Sequence, residues 1–185
     1  MRETLFNWLA PRLPGARCLD LFAGSGALGL EALSRGAAHV TFVERDAAAG
    51  RELRARLSEW GATNGHVEQA DALRFLTRPR GASGVAPTPG VELASAPGLP
   101  PPRAGAEAFD IVFLDPPFDS NLLGEVPRRL EEGRWLSPGA LIYIECPARG
   151  GLPPLPPGWT VTKAKEAGEV GYHLVTKNLQ GREGE

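Results

Sequence analysis

Cysteine, histidine and methionine are scarce in this chain of 185 residues, numbering two, three and one. Two cysteines cannot build the disulfide framework of a small secreted domain. Cys18 and Cys146 each lie in an apolar run and read as small buried hydrophobes. His39, His66 and His173 are scattered, with no ligand spacing to cysteines or carboxylates, so no metal site is expected. Charge of one sign is also lacking. Twenty Lys and Arg stand against 22 Asp and Glu, a net charge of −2. Nucleic-acid binding through bulk charge is therefore excluded, and any such contact must come from a local patch. No apolar run approaches the roughly 18 residues of a membrane span, and no leader pattern is present. A cytosolic location without membrane contact is expected.

Glycine and proline are plentiful, at 23 and 18 residues, and their placement organises the chain. The central stretch is Arg17-Cys-Leu-Asp-Leu-Phe-Ala-Gly-Ser-Gly-Ala-Leu-Gly29. An apolar run over 17–22 reads as a buried parallel strand. It breaks at Ala23-Gly24-Ser25-Gly26. A helical pattern over 26–35 follows, with Leu28, Leu30, Ala32 and Leu33 inward. Strand, glycine turn, helix is the opening unit of a nucleotide-binding α/β sheet, in which glycines let backbone approach a ligand. Gly24, Gly26 and Gly29 also satisfy the dinucleotide pattern G-x-G-x-x-G, which alone is weak. Asp20, at the strand end just before the turn, suits a cationic ligand better than a pyrophosphate. S-adenosylmethionine, with its sulfonium and ammonium, is such a ligand.

The remaining elements follow in order. Residues 2–9 read as an amphipathic helix with Leu5, Phe6, Trp8 and Leu9 toward a sheet, ended by Pro11 and Pro14. His39–Glu44 is a second strand. Glu44 emerges at its C-terminal end, close to the ~20-residue offset expected of an acid that binds ribose hydroxyls. Arg45 adjoins it, and a helix runs from Asp46, its N-cap, to Trp60. A third strand lies near 66–68. Asp71-Ala72 opens a short helix, where Asp71 can both cap and meet an adenine amino group. Residues 78–108 are rich in Pro, Gly and Ala and lose all periodicity, as an insertion within one domain of residues 1–178. Residues 179–185 form a tail. Phe109–Leu114 is a central strand, 122–134 a helix with Arg128, Arg129 and Arg134 open to solvent, and 140–146 a fifth strand. Runs at 159–163 and 170–176, joined by a turn near 166–168, form a hairpin. One terminal strand must then be antiparallel.

Asp115-Pro116-Pro117-Phe118 follows the central strand. Asp115 can accept a hydrogen bond from an exocyclic amino group. Neither proline has an N–H, so the turn presents carbonyl acceptors without a competing donor. Phe118 offers a flat face to a planar base. The amino nitrogen of a nucleobase is a poor nucleophile because its lone pair is delocalised. Acceptors on its protons favour the attacking form, so orientation and electrostatics carry the reaction.

These motifs resemble the class I S-adenosylmethionine-dependent methyltransferases that act on amino nitrogens. More narrowly, the chain resembles the RsmD-type bacterial 16S rRNA guanine-N2 methyltransferases. The likeness lies in Arg2–Leu9, Leu19–Arg35, Asp115–Phe118, Ala140–Glu145 and Gly171-Tyr172. It implies a Rossmann-like, mostly parallel seven-stranded sheet of order 3-2-1-4-5-7-6, with helices on both faces and a terminal antiparallel hairpin. The implied cofactor contacts are Asp20, Phe22, Ala23, Gly24, Ser25, Gly26, Glu44, Arg45, Asp71 and Ala72. The implied catalytic residues are Asp115, Pro116, Pro117 and Phe118. The implied partner is 16S rRNA within a small-subunit assembly particle, met by a monomer. Family members carry a basic segment before the Arg2–Leu9 helix, so the chain is expected to lack an RNA-binding portion. Two other readings share the motifs: an adenine-N6 or cytosine-N4 amino methyltransferase, and a non-catalytic assembly factor.

Overall fold

Apolar runs that alternate with glycine turns build a sheet covered on both faces. The computed structural model describes residues 2–78, 108–118 and 120–178. Its helices are α1 (Arg2–Leu9), α2 (Ala27–Ser34), α3 (Ala47–Glu59), α4 (Ala72–Leu76) and α5 (Leu122–Glu132). Its strands are β1 (Arg17–Asp20), β2 (His39–Glu44), β3 (Gly65–Gln69), β4 (Phe109–Leu114), β5 (Leu136–Pro147), β6 (Trp159–Ala167) and β7 (Val170–Lys177). They form one sheet in the order β3-β2-β1-β4-β5-β7-β6, which is the order the resemblance implies. The first five strands are mutually parallel. β7 is antiparallel to both β5 and β6, so it is the single reversed strand. Most of the expected insertion, residues 79–107, and the tail, 179–185, lie outside the described residues.

Side chains alternate across each strand and divide the core in two. Cys18, Phe42, Phe113 and Tyr143 pack with residues of α1, α2 and α3. Leu19, Val43, Val112 and Ile144 pack with residues of α4 and α5. Burial on both faces explains why these strands read as unbroken apolar runs. Both cysteines are free and buried, as their surroundings implied. Among the described residues, no helix is long and apolar enough to cross a membrane.

Several boundaries move for local reasons. β1 stops at Asp20 because Leu21 and Phe22 already enter the turn, although the Leu21 N–H still reaches the Phe113 carbonyl at 3.2 Å. β5 begins at Leu136, and its pairing with β4 changes register between Phe109 and Ile111. The helix expected over 122–134 ends at Glu132, since Gly133 caps it and Arg134 takes φ 54. Arg128 and Arg129 do not stand free: they pair with Glu132 at 2.9 Å and Glu125 at 2.8 Å. The hairpin turn is Gly168-Glu169, and Glu166 belongs to β6. On α1, Leu5, Phe6 and Leu9 are buried, while Trp8 is half-buried and stacks on Tyr172 at 5.8 Å.

The tightest constraint falls on α2. Gly29 is buried, and a Cβ there would collide with the Phe42 ring of β2. The inward face of α2 is thus Gly29, Leu30 and Ala32, with Leu28 and Leu33 only half-buried. Gly29→Ala is expected to cost about 1–3 kcal/mol by overpacking. The check is the urea midpoint of unfolding. An unchanged midpoint would show that α2 can lift off β2 freely.

Candidate active site

The chain leaves β1 outward through β2 to β3, then restarts on the other side of β1 with β4. Such a reversal opens a crevice beyond the carboxyl ends of the strands, where open α/β sheets receive ligands. Here the crevice is an open cleft of about 780 Å³. Phe22, Gly24, Glu44, Arg45, Asp71 and Ala72 line it, and so do Asp115, Pro116, Pro117 and Phe118. Asp20, Ala23, Ser25 and Gly26, read from the sequence as cofactor contacts, are not among the residues lining it.

Those four residues shape the turn. Asp20 is only 3% exposed, and its carboxylate accepts the Gly29 N–H at 3.0 Å. Gly26 precedes the first residue of α2 at φ 79 and has no side chain to cap the helix. Asp20 fills that role from the end of β1, placing an acceptor at the positive end of α2. A Cβ on Gly26 would strike Leu53, and its N–H closes the turn onto the Ala23 carbonyl at 2.7 Å. Ser25 is exposed, with its carbonyl held by Arg56 at 3.1 Å.

Glu44 acts in two directions. Its carboxylate accepts the Gly24 N–H at 2.7 Å through one oxygen and the Asp46 N–H at 2.7 Å through the other. Each oxygen keeps a further lone pair for the cleft. Gly24 faces the cleft at φ 51, and beyond its chain neighbours no atom of the described residues lies within 4 Å of where its Cβ would stand. A side chain there would be strained and would occupy ligand space. Asp71 caps α4 by accepting the Leu73 and Arg74 N–H groups at 3.1 and 3.2 Å, both through Oδ1. Capping therefore leaves Oδ2 for a ligand. Asp46 caps α3 through the Ala49 N–H at 2.8 Å and also lines the cleft.

At the other wall, one expectation needs correcting. The Pro117 carbonyl is not a free acceptor, because it takes both the Ser120 N–H at 3.0 Å and the Ser120 hydroxyl at 2.6 Å. The Pro116 carbonyl remains, with no such partner among the described residues. Phe118 is 48% exposed, so its ring is available for stacking. Ser120, Leu122, Leu21, Val43, Ala70 and Asp46 line the cleft without having been read as site residues. Only Asp46 carried a signal, its position two residues after Glu44. The apolar ones follow from which strand ends converge.

Register places the acids. Asp20 is paired with Phe42 on β2 and Phe113 on β4, and Glu44 and Asp115 each lie two residues beyond those partners. They flank Asp20 from either side, one step higher. Burial pushes the Asp20 carboxyl up to about 7, against the Gly29 hydrogen bond, and the charges of Asp115 and Glu44 add to the rise. Asp115 opens to the cleft, yet partial burial and the Glu145 charge raise it to about 6. The site concentrates carboxylates, with Arg45 the one cation among the described residues lining it.

The fold and this cleft define a class: a Rossmann-like methyltransferase. The solved neighbours agree. An RNA methyltransferase from Salinibacter ruber, solved with S-adenosyl-L-homocysteine, shares the fold at a TM-score of 0.63 and 15% identity, covering 99% of this chain and 94% of that one. A solved Escherichia coli protein, named provisionally as a methyltransferase, gives a TM-score of 0.80 at 41% identity over 97% of this chain and 86% of its own. The family described as Conserved hypothetical protein 95 matches residues 1–85 and 97–176. The chain belongs to this family, the one that contains the ribosomal RNA small subunit methyltransferase D proteins. It is 42% identical to that protein from Escherichia coli K12 over 181 residues, 98% of this chain and 78% of the relative. It is 38% identical to the Haemophilus influenzae one over 176 residues, 94% and 78%.

The raised Asp20 carboxyl sets a pH dependence of stability. Between the ordinary value of 3.8 and about 7, the folded protein binds more protons here than the unfolded chain. Stability from this group is therefore complete below the unfolded value and is lost as pH rises through about 7. Asp20→Asn, which keeps an acceptor for Gly29, is expected to flatten that decline. Urea unfolding at a series of pH values would show it, and an identical slope in both proteins would contradict it.

Proposed function

We propose that this protein transfers a methyl group from S-adenosylmethionine to the exocyclic N2 amine of a guanine in 16S rRNA. Residues 1–178 act as one catalytic domain, a monomer that meets its RNA within a partly assembled small subunit. The observation that carries the reading is the opposition, across one cleft, of the Gly24–Glu44–Asp71 wall and the Asp115–Phe118 corner.

The residues fit the cofactor. Gly24 leaves a space that a Cβ would fill, and Glu44 and Asp71 keep acceptor capacity beyond their backbone bonds. Asp20 and Glu44 favour a cation on the cofactor side of the cleft. When bound, S-adenosylmethionine supplies there a methyl group on positively charged sulfur. Glu44 holds the ribose diol, Asp71 the adenine amino group, and Arg45 closes the rim beside them. Asp20, Ala23, Ser25 and Gly26 keep the turn in shape behind Gly24.

The second wall holds the base. Asp115 accepts one amino proton and the Pro116 carbonyl the other, which aims the nitrogen lone pair across the cleft. The Pro117 carbonyl, locked by Ser120, stiffens the corner. Phe118 stacks on the ring. A guanine in a paired region must be turned out of its helix to reach this corner.

Asp115 must be ionised to accept the amino proton. Methyl transfer measured as kcat/KM is expected to rise with pH through about 6 and then level. Asp115→Asn, which puts a donor where an acceptor is needed, should lower kcat by about 10²-fold or more with donor affinity nearly unchanged. Glu44→Gln should do the reverse, weakening S-adenosylmethionine by about 1.5–3 kcal/mol in calorimetry. Equal donor affinity in Glu44→Gln and wild type would contradict the ribose assignment. The decisive experiment is mass analysis of small-subunit rRNA from cells lacking the protein. Loss of one N2-methylguanine is expected. Loss of a methyladenine or methylcytosine instead would overturn the guanine assignment.

A further inference from the structure

A second carboxylate stands beside Asp115. Leu114 on β4 pairs with Ile144 on β5, so Asp115 and Glu145 each lie one residue past the same rung of neighbouring parallel strands. Neighbouring strands are about 4.8 Å apart. The Tyr143 hydroxyl donates to Glu145 Oε1 at 2.7 Å, and Tyr143 itself is buried under α1. The Glu145 carboxylate is thus anchored by one oxygen. Its residue is half-buried, and no described residue hydrogen-bonds the other oxygen. No Lys or Arg of the described residues pairs with it. Glu145 is not itself among the residues lining the cleft, but it is held by a buried tyrosine, keeps one oxygen unpaired and stands next to Asp115, so the two acids suit a ligand that donates twice.

We infer that Glu145 reads the base, accepting the N1–H of guanine through its free oxygen while Asp115 accepts the N2 amino proton. This rests on the amine-methylation reading of the cleft and adds what selects the base. Guanine presents two adjacent donors on this edge, N1–H and the N2 amine. Adenine places the bare N1 lone pair beside its N6 amine, and cytosine the bare N3 lone pair beside its N4 amine. A second carboxylate next to Asp115 repels either lone pair and satisfies guanine. The pair of acids therefore chooses guanine over the two bases whose amines are otherwise alike. A site built around a substrate N–H rejects analogues lacking it, because its own acceptor is left facing a lone pair.

The test uses 2-aminopurine, which keeps the amine at position 2 but carries a lone pair at N1. Small-subunit rRNA is ligated from pieces so that the modified position is guanine or 2-aminopurine, and kcat/KM is measured for each. Wild type is expected to prefer guanine by at least about tenfold. Glu145→Gln keeps the size and an acceptor for Tyr143 but can turn an N–H toward the base. It should lose rate on guanine and hold it on 2-aminopurine, so that the ratio falls at least about tenfold. Equal losses on both bases would mark Glu145 as structural and overturn the inference alone. Should Glu145→Gln not fold, Glu145→Asp decides, since a shortened acid lowers the same ratio and an unchanged ratio overturns the inference. If wild type methylates neither RNA at N2, the proposed function falls as well.

Discussion

A carboxylate almost wholly removed from water, Asp20 at the end of β1, is held by a single backbone N–H from Gly29. Much of the site follows from that contact. Burying a carboxylate costs several kcal/mol unless it is compensated. Here the compensation is one N–H and the positive end of α2, and it is incomplete, because the carboxyl still rises to about 7. The bond draws α2 down until Gly29 touches the Phe42 ring, where no other residue fits. It also stands in for the cap that Gly26 cannot provide. With α2 pinned, the turn between Ala23 and Gly26 has one shape, and Gly24 faces open space.

Glu44 repeats the device from the next strand, catching the Gly24 and Asp46 N–H groups with its two oxygens. The acids that would meet a ligand are therefore the same ones that fold its pocket. A positively charged ligand would ease the repulsion among Asp20, Glu44 and Asp115. In the proposed function, structure and affinity are coupled through one set of charges, and a substitution at Glu44 would touch both. Asp71 divides the two duties more cleanly, capping α4 with one oxygen only.

Much of this was legible before any coordinates. The glycine turn, the acids at strand ends and the Asp-Pro-Pro-Phe corner each have a local cause, so residue type and spacing reveal them. Ten of the fourteen residues read as site residues do line the cleft: Phe22, Gly24, Glu44, Arg45, Asp71, Ala72 and the four from Asp115 to Phe118. What the sequence left unread has a different cause. Asp20 was read from its place at a strand end, and that α2 buries it and gives it the Gly29 N–H depends on a tertiary neighbour. Pro117 looked like a free acceptor because its own neighbours lack donors. Ser120 supplies two donors by folding back across a turn that periodicity does not describe. Leu21, Val43 and Ala70 carried no chemical signal and reach the cleft only because three strand ends meet there.

The sequence by itself determined the alternation of strand and helix, the glycine turn and the chemical types that stand at the strand ends. These depend on neighbours within a few residues, where backbone sterics and side-chain periodicity act. Only the tertiary structure decided which acids share a rung. Glu145 and Asp115 are thirty residues apart in the chain and become neighbours solely through the register of β4 on β5. That register is set by packing on both faces of the sheet, so it belongs to the whole fold and to no single stretch.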